Sequence, residues 1–125
     1  MSPRSEELID SARARLTGAR HAFGAGDLDL AVSAAYYAML YAARAALSEH
    51  DEYARRHGGT WNLFRQRFVV TEAFDEALFS RAHRAQEARE GADYEAITPD
   101  PVEAKGYVED AAEFVAAIER MLVPD

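Results

Sequence analysis

The chain has 125 residues, no cysteine and a formal net charge of −8. These values suit a single domain, residues 1–125, and exclude disulfides and thiolate metal sites. An acidic chain does not bind nucleic acid through its whole surface, so such binding would need a local basic region. The first residues lack an apolar signal core and no apolar run is expected to be long enough to span a membrane, which predicts a cytoplasmic protein.

Apolar residues recur at spacings of three and four in successive stretches of the chain, which is typical of amphipathic helices. The predicted helices cover about residues 5–23, 28–48, 61–70, 74–91 and 101–122. No stretch alternates with a period of two, so no strand is expected. The short Gly-Ala-Gly turn after the first helix brings the second back beside it. The sequence therefore predicts an all-α fold, an antiparallel up-and-down bundle of about five helices.

The second predicted helix is the stretch around which the others are expected to pack. Alanine, the strongest helix former, dominates it, and Asp27 is placed to cap its start. Tyr36, Tyr37 and Tyr41 add volume and bring hydroxyl groups that need partners. Arg44 is the single charge in this apolar run. Because a buried charge must be paired, Arg44 is expected to meet a carboxylate or a ligand phosphate.

Basic residues are concentrated between positions 53 and 89. This segment has seven arginines against four acids, a local charge of +3, whereas the remainder of the chain carries −11. Such a region could form a phosphate-binding face. Alternatively, some of these arginines pair with acids on neighbouring helices.

His57 and Arg89 are the first candidates for chemistry. His57 ends a basic loop after Arg56 and precedes two glycines, where it could contact phosphate or act as an acid or base. The alternative is an exposed or helix-capping histidine. Arg89 follows an alanine-rich helix face and could bind phosphate with two parallel hydrogen bonds. The alternative is an ion pair with Glu87, Asp93 or an acid of the last helix. The other histidines show no metal-ligand spacing, so no metal or cofactor is expected.

Three motifs together carry a resemblance to a known family. They are AAYYAMLYAARAAL at residues 34–47, HGGTWNLF at residues 57–64 and REGADY at residues 89–94, the last followed by an amphipathic helix. Over about residues 8–122 the chain resembles the HEPN family (higher eukaryotes and prokaryotes nucleotide-binding), in its short stand-alone prokaryotic branch. The resemblance implies a helical bundle that forms a homodimer. It also implies a toxin–antitoxin-like system, in which the partner is a minimal nucleotidyltransferase antitoxin.

The resemblance bears on individual residues as well. In active branches an arginine followed a few residues later by a histidine forms a metal-independent ribonuclease site, and two copies of the site meet across the dimer. Arg89 matches the arginine, but no histidine follows it anywhere in the chain, and Tyr94 stands in its place. Cleavage without metal needs a base, an acid and positive charge. Arg89 supplies the charge, Tyr94 a hydroxyl, and His57 a substitute base if its loop folds towards Arg89.

Three functions follow as hypotheses. The first is a module that binds RNA or a nucleotide, paired with a nucleotidyltransferase, in which the ribonuclease motif is degenerate. The second is an active ribonuclease toxin that uses Arg89 with His57 or Tyr94. The third is a structural interaction protein whose arginines are all paired with carboxylates. One polar cleft near the dimer axis is expected to collect Arg44, His57, Arg89, Asp93 and Tyr94. Arg56 is expected to be a further residue that binds RNA or a nucleotide.

Overall fold

A computed structural model describes residues 1–53 and 57–123, and of His57 it describes the backbone only. Within these residues the chain forms α-helices α1 (Pro3–Gly24), α2 (Leu28–Ser48), α3 (His57–Phe64), α4 (Glu76–Tyr94) and α5 (Pro101–Leu122). A five-residue π-helical turn, Arg65–Val69, continues α3. The described residues contain no strand. The predicted all-α bundle of about five helices is confirmed.

Short polar side chains fix where the helices begin. Ser2, Asp27 and Asp75 each cap a helix by accepting a hydrogen bond from a backbone N–H in its first turn. At the start of α5, Asp100 and Glu103 form a reciprocal capping box, with proline at the first helical position. The predicted cap at Asp27 is therefore present.

Two helix boundaries differ from the prediction. The third helix begins at His57 rather than near residue 61, so the glycine pair lies inside its first turn instead of in a loop. The fourth helix begins at Glu76, because Asp75 caps it, and runs beyond the predicted end at Gly91 to Tyr94. The longer α4 matters for the site, because it places Arg89, Asp93 and Tyr94 on one continuous helix.

The centre of the bundle is α2, as the sequence predicts. It packs most extensively against α1 and also contacts α5, α4 and α3. Most of its side chains are buried, and its alanines let the neighbouring helices approach closely. One row of α2 positions stays half-buried, and it includes Tyr37, Tyr41 and Arg44. These residues lie three or four positions apart, so they share one face of the helix.

By length and composition alone, α2 also qualifies as a membrane span, and among the described helices it is the one that does so. The expectation that no apolar run reaches that length is therefore wrong, because a single arginine does not lower the mean hydropathy of this helix enough. In the bundle, 67% of its most apolar window is buried against other helices. This is the burial pattern of a core helix.

A cluster of aromatic rings joins α3, the π-helical turn, α4 and α5. Phe64 is fully buried and lies at its middle. Ring centroids in the cluster lie 5.0–6.2 Å from that of Phe64, and they belong to Trp61, Phe68, Phe74, Phe79 and Phe114. Such edge-to-face and offset contacts add to the stability that burial alone provides.

Candidate functional site

The candidate site is organised around the guanidinium group of Arg89. Arg89 is 9% exposed, which makes it one of the few buried polar residues among those described. Its Cζ atom lies 5.3 Å from the ring centroid of Tyr36 and 5.5 Å from that of Tyr37, both on α2. These distances are within the range of cation–π attraction, which is stronger where water is excluded. The rings of Tyr36 and Tyr37 therefore stabilise the charge of Arg89, which would otherwise be costly to bury.

Asp93 orients the guanidinium from one side. Its Oδ2 accepts a hydrogen bond of 2.9 Å from Nη1 of Arg89. The two residues are four positions apart on α4, so helix geometry places their side chains together. The Asp93 side chain is 44% exposed, so this ion pair lies at the edge of the site and faces solvent. Nε of Arg89 is buried and has no hydrogen-bond partner among the described residues.

The surroundings of Arg89 shift its pKa in both directions. Burial is the largest influence and lowers the pKa, because it disfavours the charged form. The opposing influences are stronger in sum and raise the pKa of Arg89 above its ordinary value; they come from Tyr37, Asp93, Tyr36 and Tyr94. The site thus keeps a permanent positive charge within a mostly apolar wall.

Tyr36 links this site to the aromatic cluster. Its hydroxyl oxygen accepts a hydrogen bond of 3.1 Å from Nε1 of Trp61. Burial raises the pKa of Tyr36, and the hydrogen bond from Trp61 and the charge of Arg89 partly offset this shift. Tyr36 therefore stays a neutral phenol, and its ring supports Arg89 on one side while its hydroxyl is fixed by Trp61 on the other.

Tyr94 lies one turn beyond Arg89 on α4 and is 78% exposed. Its hydroxyl raises the pKa of Arg89, but less than Tyr37, Asp93 and Tyr36 do. The exposed hydroxyl of Tyr94, close to Arg89, can donate a hydrogen bond to an oxygen atom of a ligand. The structure therefore brings Arg89, Asp93 and Tyr94 together, as the sequence predicts.

Arg44 does not share this cleft. It lies seven residues after Tyr37 on α2, about 10 Å further along the helix axis. Its Cζ atom is 5.7 Å from the ring centroid of Tyr41. The Cζ atom of Arg15, on α1, lies 4.4 Å from the same centroid. The expected carboxylate partner is absent from the described residues, and the buried Nε of Arg44 has no hydrogen bond among them. Instead, Arg44 borders a groove of about 830 Å³ between α2 and the start of α1.

Two predicted site residues lie outside what the structure describes. Arg56 falls in residues 54–56, and His57 is described by its backbone alone. Their proposed roles stay predictions.

The basic segment is divided between paired and unpaired arginines. Arg67 pairs with Glu52, and Arg81 pairs with Asp110 and Glu113. For these two arginines, the alternative prediction of an ion pair with an acid elsewhere in the bundle is correct. Arg65 and Arg84 have no ion pair among the described residues. No group of His, Asp and Glu side chains in the described parts of the chain could hold a metal ion.

Sequence reasoning missed the residues that seat Arg89. Tyr36 and Tyr37 were expected to add core volume and hydroxyl groups that need partners, but not to contact Arg89. No local pattern indicates this contact, because the tyrosines and Arg89 lie on different helices.

The fold and this site define a class of protein: a small all-α bundle in which a buried arginine of the fourth helix rests on tyrosines of the second. The family profile that matches is that of the HEPN domain, over residues 5–121. The chain therefore belongs to the HEPN domain family.

Two curated relatives are similar to it. One, from Methanocaldococcus jannaschii, carries the provisional name of a toxin and is 32% identical over 91 residues, which are 73% of this chain and 62% of the relative. The other, a UPF0332 protein from Gloeobacter violaceus, is 37% identical over 70 residues, 56% of each chain. The matched region spans less than two thirds of the length of either relative.

Proposed function

We propose that this protein is the toxin-like component of a two-component system, and that it binds RNA or a nucleotide at the Arg89 site without an effective ribonuclease centre. The observation that carries the proposal is the position of the charged Arg89 guanidinium against the rings of Tyr36 and Tyr37. The guanidinium keeps its charge although it is mostly buried, and its edge beside the half-exposed Asp93 faces solvent, where it can bind a phosphate oxygen. The provisional name of the M. jannaschii relative supports the toxin-like role.

The phosphate of the ligand binds at the solvent-facing edge of Arg89. Asp93, half-exposed at that edge, holds the guanidinium in one orientation and can turn to water when a phosphate oxygen takes its place. Tyr94 donates a hydrogen bond to the same phosphate or to the sugar beside it. Preorganisation of this kind lowers the entropic cost of binding.

Cleavage is expected to be weak or absent because the described groups around Arg89 include no neutral-pH base. Asp93 is engaged by Arg89, and a phenol such as Tyr94 serves as a donor rather than as a base. Cleavage of RNA by the wild-type protein that is lost in both Arg89→Ala and His57→Ala would contradict this part of the proposal. It would favour the active ribonuclease instead.

A homodimer fits the surface around this end of α4. Tyr94, Ile97 and Val102 are 78%, 58% and 81% exposed and follow one another from the end of α4 to the start of α5. A second copy that covers them would bring two Arg89 sites near each other. Light scattering should give a dimer mass, and Val102→Glu should shift it towards the monomer. A monomer mass for the wild type at high concentration would remove the dimer.

The proposed partner is a minimal nucleotidyltransferase, as the family resemblance implies. Co-expression with the neighbouring open reading frame, followed by affinity purification through a tag on this chain, tests it directly. Recovery of a stoichiometric nucleotidyltransferase supports the pairing. A neighbouring product of another class, or no stable complex, contradicts it.

The binding claim is tested by titrating a fluorescently labelled single-stranded RNA with wild-type protein and two arginine variants. Arg89→Ala should weaken binding by about tenfold or more, since a hydrogen bond to a charged group contributes on that order. Arg13→Ala is the matched control, because Arg13 lies exposed on α1 and pairs with Asp10 and Glu119. Affinity should fall as salt rises. Equal affinities of the two variants would mean that Arg89 is structural.

A further inference from the structure

A second basic groove lies outside the Arg89 site, between the α3–π segment and α4. Its volume is about 450 Å³, and its walls include Trp61, Asn62, Arg65, Phe79, His83 and Arg84. Arg65 comes from the π-helical turn and Arg84 from the middle of α4, so two separate elements each bring one guanidinium to the same groove. We propose that this groove is a second phosphate-binding site, distinct from the Arg89 site.

The two arginines differ from their neighbours in having no carboxylate partner. Within the described residues, neither Arg65 nor Arg84 has an ion pair, whereas Arg67 and Arg81 on the same two elements are both paired. The chain has a net charge of −8, yet among the residues that the structure describes this groove is lined by two unpaired arginines and by no acid. An anion bound in the groove would be attracted by both guanidinium groups.

Acids do approach both arginines from outside the groove. Asp110 acts on Arg84 electrostatically but lies beyond ion-pair distance, and it already contacts Arg81 at 3.4 Å. On the other side of Arg65, a separate groove is bordered by Glu72, Asp75 and Glu76. None of these carboxylates lines the groove itself.

The rest of the groove suits a flat ring attached to the phosphate. Trp61 and Phe79 form an aromatic wall, with ring centroids 6.1 Å apart in an edge-to-face arrangement. Asn62 adds an exposed amide that can donate and accept hydrogen bonds. His83 faces Glu87, with Nε2 and Oε1 2.8 Å apart. A phosphate next to an aromatic ring is a chemistry that a free nucleotide and an RNA strand share.

Trp61 also connects this groove to the first site. It lines the groove with its ring while its Nε1 donates to Tyr36, whose ring supports Arg89. Trp61 is the only tryptophan in the chain, so its fluorescence reports on the groove without interference from other indoles.

The experiment is a fluorescence titration of the 125-residue chain with four probes: adenosine, inorganic phosphate, AMP and a short oligoadenylate RNA. We expect a response to every probe that carries phosphate and none to adenosine. Arg65→Gln and Arg84→Gln should each weaken the response about tenfold. Arg67→Gln removes the same charge two residues from Arg65 and should leave the affinity unchanged.

The outcomes separate this site from the Arg89 site. A response that survives in Arg65→Gln and Arg84→Gln but disappears in Arg89→Gln would come from the first site and would overturn the proposal. Equal weakening in the two groove variants and in the Arg67→Gln control would indicate a nonspecific effect of charge and would also overturn the proposal. Circular dichroism melting confirms that each variant is folded. Tighter binding of the oligonucleotide than of AMP identifies an RNA strand as the source of the phosphate, and equal binding identifies a free nucleotide.

Discussion

The two halves of the bundle are built from different kinds of side chain. In the α1–α2 half, the buried positions of α2 are mostly alanine, namely Ala31, Ala35, Ala38, Ala42, Ala43, Ala45 and Ala46. In the other half, α3, the π-helical turn, α4 and α5 meet through the ring cluster around Phe64. Small residues let α1 and α2 approach closely, whereas the other half is held by edge-to-face and tilted ring contacts.

Arg89 lies where these two halves meet. Tyr36 and Tyr37, whose rings contact Arg89, belong to the alanine-rich α2. Arg89 itself lies on α4, which belongs to the aromatic half. The alanine-rich half supports Arg89 through Tyr36 and Tyr37, and the helix that carries Arg89 packs into the aromatic half.

The largest effect is expected from the aromatic half. Phe64→Ala removes a fully buried ring with aromatic neighbours on several sides, and the cavity should cost about 3–5 kcal/mol of unfolding free energy. Urea denaturation followed by circular dichroism measures it. A loss below about 1 kcal/mol would show that the cluster can collapse around the gap and does not hold this half together.

In the α1–α2 half, where small side chains pack closely, we expect added side-chain volume to lower the stability. Ala38 is fully buried on α2, so Ala38→Leu should overpack the interface and cost about 1–3 kcal/mol. Ala77→Leu is the control, because Ala77 is exposed in the first turn of α4. Equal stabilities of the two variants would place Ala38 away from a tight interface.

A smaller effect is expected at the junction between the halves. Replacing the indole in Trp61→Phe removes the donor to the Tyr36 hydroxyl, and the hydrogen bond should contribute about 1 kcal/mol. A double-mutant cycle with Tyr36→Phe isolates this coupling from the change in ring size. A coupling energy near zero would contradict the link between the two halves.

The smallest effect concerns Asp110 of α5. Burial is the largest influence on this carboxyl and raises its pKa, and the charges of Arg81 and Arg84 only partly compensate. The folded state therefore binds the proton more tightly than the unfolded state, so the ionised carboxylate costs stability above the folded pKa and nothing below the unfolded pKa.

Asp110→Asn should accordingly raise the melting temperature slightly at neutral pH, and the gain should vanish as the pH falls below the ordinary pKa of aspartate. Thermal melts across this pH range measure the difference. A variant that is less stable at neutral pH would show that the ion pair with Arg81 outweighs the burial of the carboxyl.

The helices, their order and the central position of α2 were predictable because they rest on local patterns. Apolar spacing, alanine content and the caps at Asp27 and Asp100 act within a few residues of one another. The grouping of Arg89 with Asp93 was predictable for the same reason, since the two lie one helical turn apart.

The remaining features depend on contacts between distant segments. Nothing local indicates that Tyr36 and Tyr37 face Arg89, some fifty residues later in the chain. The expected convergence of Arg44 with Arg89 failed to allow for the rise along α2, which puts Arg44 two turns from the tyrosine pair and into a groove beside α1. The π-helical turn, in which Phe68 and Val69 are buried, was likewise not predicted from the sequence.

The central claim is that the guanidinium of Arg89 receives the phosphate of the ligand. Two-dimensional NMR of the arginine Nε–Hε groups tests it directly, with the Arg89 resonance assigned by its loss in Arg89→Lys. On addition of a short single-stranded RNA, the Arg89 resonance should shift in proportion to occupancy, while that of Arg13, already paired with Asp10 and Glu119, should stay in place. An Arg89 resonance that does not move while the RNA is bound would contradict the account.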